Sequence, residues 1–165
     1  IDHQVDLIIS TAGVSVGEYD YVRSVVERYG SLEFWRVNMR PGKPLAFGSY
    51  RGSPFVGLPG NPVSAFVGFE VFVRPAIYKM LGLNEWNRNA LRVRILENVE
   101  SDGRESFIRV IVEQDSGEWI ARVIPNQGSG NLRSLVQANA LLLLPSGVKS
   151  LPIGSVMNAW LLDGQ

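Results

Sequence analysis

Two basic residues, Arg40 and Lys43, flank a Pro41-Gly42 turn, and a second breaker-rich corner, Gly57-Leu-Pro-Gly-Asn-Pro-Val-Ser64, follows it closely. From Phe34 through Phe69 there are four basic residues (Arg36, Arg40, Lys43, Arg51) and no carboxylate, in a chain whose formal net charge is +0. A local excess of positive charge in a neutral chain suits an anionic ligand. Proline and glycine fix the turn, so two otherwise mobile cations are held at a defined separation and lose less entropy on gripping an oxyanion. The alternative is a solvated turn with two ordinary surface charges, to which folding could bring a carboxylate.

Two further loops share this character. Thr11-Ala-Gly-Val-Ser-Val-Gly-Glu-Tyr-Asp20 joins a short apolar run to a helical pattern. At such strand ends in open α/β sheets, glycines let backbone N–H groups approach an anion. Gly13 and Gly17 supply that freedom and Ser15 a hydroxyl donor. Asp20 has two readings: the N-cap of the following helix, which spacing alone favours, or a carboxylate at the mouth of an anion site that holds Mg2+ or orients a substrate amine. Glu18 reads as solvated. In the third loop, Asn61 as N-cap with Pro62 at the first helical position is a strong start signal and leaves backbone donors pointing outward. Three strand-end loops fit for anions, close together in sequence, raise the functional reading of each.

The elements that must position these loops fall into two parts. Asp6 to Thr11 reads as a covered parallel strand, Val22, Val25, Val26 and Tyr29 as one face of a helix closed by Gly30, and Leu32 to Met39, Leu45 to Tyr50 and Phe55 to Leu58 as strands. The helix from Pro62 is apolar almost all round, which predicts packing on more than one side, and Pro75 should kink or unwind it. Residues 83–89, LNEWNRN, are breaker-rich and mark a boundary between a unit at 1–82 and one at 90–165. After it, β-type runs alternate with turns: Leu91 to Asn98, Phe107 to Gln114, Trp119 to Pro125, Ala140 to Pro145 and Ser155 to Leu162. Between the third and fourth, QGSGNLRSLVQAN suggests a loop leading into a short helix. About five strands fit a small barrel or sandwich. The fold class is thus α/β followed by all-β.

Composition excludes several functions. With 165 residues, 45% of them hydrophobic, the chain can bury one ordinary core or two small ones. It has no cysteine and one histidine, His3, so thiolate chemistry and multi-histidine metal clusters are out, and any metal must use oxygen ligands. No apolar run reaches the ~20 residues of a membrane span, and no signal-peptide pattern opens the chain, so a cytoplasmic home is the default. The basic residues lack the aromatic interleaving of a nucleic-acid groove. Trp35, Trp86, Trp119 and Trp160 share no spacing and read as packing residues, and Glu113 and Asp115 as solvated hairpin-tip acids. Because Ile1 is not an initiator methionine, the chain reads as a piece of something longer.

Taken together, STAGVSVGEYD (Ser10 to Asp20), MRPGKPLAFG (Met39 to Gly48) and GLPGNPVSA (Gly57 to Ala65), followed by a β-rich tail containing QGSG, resemble the molybdopterin molybdenumtransferases. This is the MoeA-type family, to which the E domain of gephyrin also belongs, and the match runs from about Asp6 to the end. The resemblance implies part of a three-layer molybdopterin-binding α/β domain at 1–82 and a small C-terminal β-barrel-like domain at 90–165. It implies a reaction that takes adenylylated molybdopterin and molybdate, cleaves the pyrophosphate link, inserts molybdenum at the dithiolene and releases AMP, assisted by Mg2+. Asp20 then matches the acidic residue implicated in Mg2+ and substrate binding, which reverses the preference from spacing. Arg40 and Lys43 match the cationic positions for molybdate or phosphate. Substrate-binding positions are implied at Gly13, Ser15, Gly17, Pro59, Gly60, Asn61, Pro62, Ser64 and Ser129, the last in the β-rich part. Two departures stand out: Ala12 replaces a usual glycine, and the upstream strands and domains of relatives, which complete the site across a homodimer, are missing. The chain alone is therefore expected to lack full activity. Two other readings remain: a molybdopterin adenylyltransferase-like enzyme, against which the β-rich tail argues, and a gephyrin-like scaffolding module.

Overall fold

A computed structural model of the chain describes residues 5–11, 21–86 and 88–162. A four-stranded sheet is built from β1 (Ile8–Thr11), β2 (Gly30–Arg36), β4 (Pro44–Tyr50) and β5 (Ser53–Leu58), in the order β1-β5-β4-β2. β1 runs parallel to β5, and the β5–β4 and β4–β2 pairs are antiparallel. Helix α1 (Tyr21–Tyr29) leads directly into β2. Gly30 is therefore the first residue of a strand and not the helix cap expected from sequence. The reason for a glycine there is close approach: a Cβ on Gly30 would lie 1.9 Å from the Ser49 carbonyl oxygen. Of the periodic apolar positions on α1, Val26 is buried, whereas Val25 and Tyr29 are exposed.

The single strand expected from Leu32 to Met39 is split. β2 ends at Arg36, the chain turns, and β3 (Met39–Arg40) leaves the first sheet to lie parallel to β8 (Glu105–Asp115) of the second, with Met39 opposite Glu105 and Arg40 opposite Ser106. The second sheet is otherwise formed by β6 (Ala90–Ile95), β8, β9 (Glu118–Val123), β10 (Ala140–Leu144) and β12 (Val156–Leu161). Their order is β10-β12-β6-β9-β8, and β8 pairs back onto β10, so these strands close into a five-stranded barrel. Closure removes the edges that an open sheet would leave. The remaining pair, β7 (Val99–Glu100) with β11 (Ser150–Leu151), was not anticipated, because each is only two residues long. Helix α4 (Leu132–Gln137) follows the QGSG loop, capped by the Asn131 side chain, which accepts from the Ser134 N–H at 3.3 Å.

Alternation explains the barrel wall. Ala140, Leu142 and Leu144 point into the barrel with Val93, Ile95, Val110 and Ala121, while Leu141 faces outward against Met39, Val67 and Phe107. An unbroken apolar run in β10 is what a strand covered on both faces requires. The outer cover is the helical stretch expected from Pro62. It runs as α2 (Pro62–Gly68), a π-helical turn at Phe69–Val73 and α3 (Arg74–Met80), so the irregularity falls just before Pro75, which has no N–H to continue an α-helical ladder. Val67 and Phe66 pack on the barrel side, and Val73, Ala65 and Ile77 on the first sheet, with Phe72 touching both groups. This two-sided packing is why the helix is apolar all round.

One ion pair anchors that helix. Glu70, 5% exposed, accepts from Arg88 Nε, and Arg88 Nη1 donates to the Leu161 carbonyl at 2.7 Å; Arg74 Nε lies 3.9 Å from the same carboxylate. Removing one member of a buried pair leaves the other charged and unpaired, which costs about 3–5 kcal/mol. Glu70→Ala should therefore lower the free energy of urea unfolding by that amount, whereas Glu70→Leu combined with Arg88→Met, which removes both charges, should cost clearly less.

Candidate functional site

The cationic turn is built by one hydrogen bond, a cis proline and a glycine. The Val37 N–H donates to the Lys43 carbonyl at 2.9 Å, closing residues 37–43, and the Arg40-Pro41 peptide is cis. Gly42 has φ +106°, a left-handed conformation that glycine alone adopts without strain, and a Cβ there would lie 3.3 Å from the Ser64 carbonyl oxygen. The Pro41-Gly42 bend is thus pressed against the first turn of α2. Two of the loops singled out in the sequence meet at this point.

The second of them is organised by Asn61. Its side-chain oxygen caps α2 at the Ser64 N–H, 3.5 Å away, with Pro62 at the first helical position. Its amide nitrogen donates to Ser129 Oγ at 3.2 Å, across a separation of 68 residues. Asn61 therefore ties the strand-end corner that contains Pro59 and Gly60 to the barrel loop. That loop is itself held: Gly128 N–H donates to Asn126 Oδ1 at 3.3 Å, Asn131 N–H to the Gly128 carbonyl at 3.1 Å and Asn131 Nδ2 to the Asn126 carbonyl at 3.0 Å. Ser64 is 6% exposed, so what it presents to its surroundings is largely backbone.

The carboxylate that folding could bring to the cationic turn is Asp102. Its Oδ2 lies 3.6 Å from Arg40 Nη1 and accepts from Arg104 Nη2 at 2.5 Å. Arg104 Nη1 in turn donates to the Met39 carbonyl at 3.3 Å, clasping β3. Arg40 is thus partly neutralised, while among the described residues no carboxylate pairs with Lys43, which is exposed. Of the two cations, Lys43 is the one without a carboxylate partner among the described residues. Asp102 and Arg104 were missed in the sequence. Their local signal was an Asp-Gly-Arg turn with Gly103 at φ +85°, but nothing local links it to Arg40; the β3–β8 register does.

Gly13, Ser15, Gly17 and Asp20 lie outside the described residues, so the first loop is represented only by its flanks, β1 and α1. β1 ends at Thr11 opposite Leu58, the residue that opens the Pro59-Gly60-Asn61 corner. The chain thus enters the first loop beside the third. Among the described residues no group of three or more His, Cys, Asp or Glu side chains could hold a metal ion. The acids expected to be solvated stand on the barrel surface: Glu113 pairs with Arg122 at 3.0 Å, and Asp115 ends β8.

Comparison with known proteins places this geometry. Residues 1–79 match the family model described as a probable molybdopterin binding domain, and residues 92–162 match the MoeA C-terminal region, domain IV. The chain belongs to the molybdopterin molybdenumtransferase family. It is similar to the molybdopterin molybdenumtransferase of Haemophilus influenzae, 48% identical over 85 residues that make up 52% of this chain and 21% of that protein. It is also similar to the molybdenum cofactor synthesis protein cinnamon of Drosophila melanogaster, 42% identical over 158 residues (90% of this chain, 25% of that one). Among solved structures, a molybdopterin biosynthesis MoeA protein from Pyrococcus horikoshii superposes with a TM-score of 0.75 at 30% identity, covering 96% of this chain and 37% of the other. The chain spans only about a fifth to two-fifths of the length of the curated relatives it matches. The β-rich part that counted against the adenylyltransferase alternative matches the MoeA C-terminal region, and no helix among the described residues is long and apolar enough to cross a membrane.

The Asp102 carboxyl offers a direct check of the electrostatics. Hydrogen bonds from the Arg104 side chain, then from its backbone N–H, hold it down at about 2, with Arg40 adding to the effect. Folding lowers this pKa below the ordinary value of roughly 3.9, so its contribution to stability is complete above that pH and is lost as the pH falls through about 2. An NMR titration of the Asp102 carboxyl should give a midpoint near 2 in the native sequence, and one displaced upward, toward roughly 3.9, in Arg104→Gln. An unmoved midpoint would show that Arg104 is not what holds the group down.

Proposed function

We propose that this chain is the part of a molybdenum-inserting transferase that grips the anionic groups of its substrates. In this reading the whole protein takes adenylylated molybdopterin and molybdate, cleaves the pyrophosphate link and inserts molybdenum at the dithiolene with release of AMP. It works as a homodimer in the cytoplasm, and the rest of the chain completes the site. The observation that carries the reading is the meeting of the Gly42 bend, the Asn61 corner and Ser129 at one place, since two neighbouring loops and a third 68 residues further on are held together there by specific contacts.

Each residue then has a task. Lys43, which no carboxylate pairs with among the described residues, supplies positive charge for a phosphate or molybdate oxygen, and a charged group holds an oxyanion more strongly than a neutral donor does. Arg40 supplies a second cation whose position is fixed by Asp102. Asn61 and Ser129 set the separation between the corner and the barrel loop, and Pro59, Gly60 and Pro62 shape the wall on which the pterin rests. Gly13, Ser15 and Gly17 provide backbone and hydroxyl donors to the phosphates. The dithiolene sulfurs belong to the substrate, so a chain without cysteine suffices.

Magnesium fits this site only through residues outside those described. Asp102, the carboxylate paired with Arg40 among the described residues, is taken up by two guanidinium groups. A Mg2+ ion commonly uses one or two carboxylates and fills its shell with water and substrate phosphates, so Asp20 alone would be an adequate protein ligand. Bound there, the ion would neutralise phosphate charge.

The test is made in the full-length protein, where Lys43→Gln should lower molybdate-dependent AMP release from adenylylated molybdopterin by about 10- to 100-fold, the equivalent of one lost charge-assisted hydrogen bond. Release at the native rate would remove Lys43 from the site and with it the proposed role of the turn.

A further inference from the structure

The Asp102-Gly103-Arg104 turn that leads into β8 is pinned from its far side. Gly147 N–H donates to the Gly103 carbonyl at 2.8 Å, and Ser101 N–H to the Lys149 carbonyl at 2.7 Å. The Lys149 stem lies 3.5 Å from where a Cβ on Gly103 would be, and Gly103, at φ +85°, supplies the left-handed residue of the turn. Ser106 Oγ donates to the Arg104 carbonyl at 2.9 Å and fixes the start of the strand. Arg104 therefore stands on a backbone that is held in place whatever its side chain does.

From that base the guanidinium reaches in two directions. Toward Asp102, Nε lies 3.2 Å from Oδ1 and 3.1 Å from Oδ2, Nη2 donates to Oδ2, and the Arg104 backbone N–H adds a bond to Oδ1 at 3.1 Å. Toward β3, Nη1 donates to the Met39 carbonyl at 3.3 Å. Arg40 comes directly after Met39, and its Nη1 lies 3.6 Å from the same Asp102 carboxylate. Arg104 thus holds Arg40 at two points, the backbone just before it and the counter-charge of its head group. A planar fork with donors in fixed directions can serve both, whereas the single ammonium of a lysine cannot.

An exposed arginine moves among many rotamers, and ordering it on binding costs affinity. The Arg40 side chain is half exposed, and an isolated ion pair on a surface contributes little stability. This pair differs because its acid is itself held, by a fork and a backbone N–H. We infer that Arg104 is a positioning residue: through Asp102 and the Met39 carbonyl it presents Arg40, already ordered, to the oxyanion that the cationic turn grips. The inference rests on the transferase reading for the identity of that group, a molybdate or phosphate oxygen. Arg104 acts without touching the ligand, since its fork is turned toward Asp102 and Met39.

Steady-state kinetics of the full-length protein, following molybdate-dependent AMP release, provide the test. Arg104→Gln should raise the KM for molybdate or for adenylylated molybdopterin about five- to tenfold and leave kcat within about twofold, because a pre-ordered ground-state contact is what it loses. KM reports only folded molecules, so partial misfolding does not imitate this shift. Arg104→Lys, which keeps the charge without the fork, should stay at least about threefold above the native KM. In an Arg40→Gln background, adding Arg104→Gln should change KM by less than about twofold, since a residue that acts through Arg40 has nothing left to act on. Native KM values in Arg104→Gln, full recovery by lysine, a fall in kcat with KM unchanged, or an equal KM effect in both backgrounds would each overturn the inference and leave the transferase reading standing. If Arg40→Gln alone changes neither KM, the role of Arg40 in that reading falls together with this one. Absence of AMP release from the native protein would sink the reading itself and the inference with it.

Discussion

The site depends on where two residues go. Met39 and Arg40 follow a strand of the first sheet yet pair with the barrel, so the backbone crosses between the two sheets within a few residues. Met39 is 1% exposed and packs with Val67, Phe107 and Leu141, which makes the crossing a buried hydrophobic contact as well as a ladder of hydrogen bonds. The parallel register sets Arg40 opposite Ser106 and so beside Asp102. Without this crossing the cationic turn would be an appendage of the first sheet, and the barrel would meet these loops only through Ser129.

The helical stretch from Pro62 to Met80 makes the crossing stable, because it fills the space between the sheets. A helix wedged between two β layers must be apolar on two faces and still satisfy its polar groups. The Glu70 to Arg88 clamp does the second task, tying the π-helical turn to the segment before β6 and to the last barrel strand. Phe72, which contacts both core groups, leaves little room for the sheets to slide past one another, since close-packed interiors shift only in discrete rearrangements.

Much of this was readable from the chain. The all-round apolar helix and the alternating runs after Ala90 follow from periodicity and turn chemistry, which are local. Asn61 as a cap with Pro62 behind it was also local, and the helix starts there. The misses were all matters of pairing. Gly30 carried the signature of a helix cap, but its glycine is required by the Ser49 carbonyl of a neighbouring strand. The run to Met39 looked continuous because nothing in its composition marks a change of sheet. Asp102 and Arg109 were not singled out in the sequence, and their placement comes from strand register.

That contrast bears on how the site divides its labour. Residues recognisable from motif, such as Arg40, Lys43 and Asn61, sit on loops whose conformation is set by proline and glycine, so their geometry is encoded within a few residues of each. Asp102, Arg104 and Arg109 come from the barrel and act on those loops from outside: one neutralises Arg40, one grips the Met39 carbonyl, one holds Gly128 next to Ser129. The loops carry the candidate groups, and the barrel fixes how the loops stand relative to one another. A change in barrel register by one residue would turn Arg109 into the barrel and Ile108 out, since successive side chains of a strand face opposite ways. The loops would keep their sequence and lose their present arrangement, which is why the barrel helps to position them although it carries little of the motif.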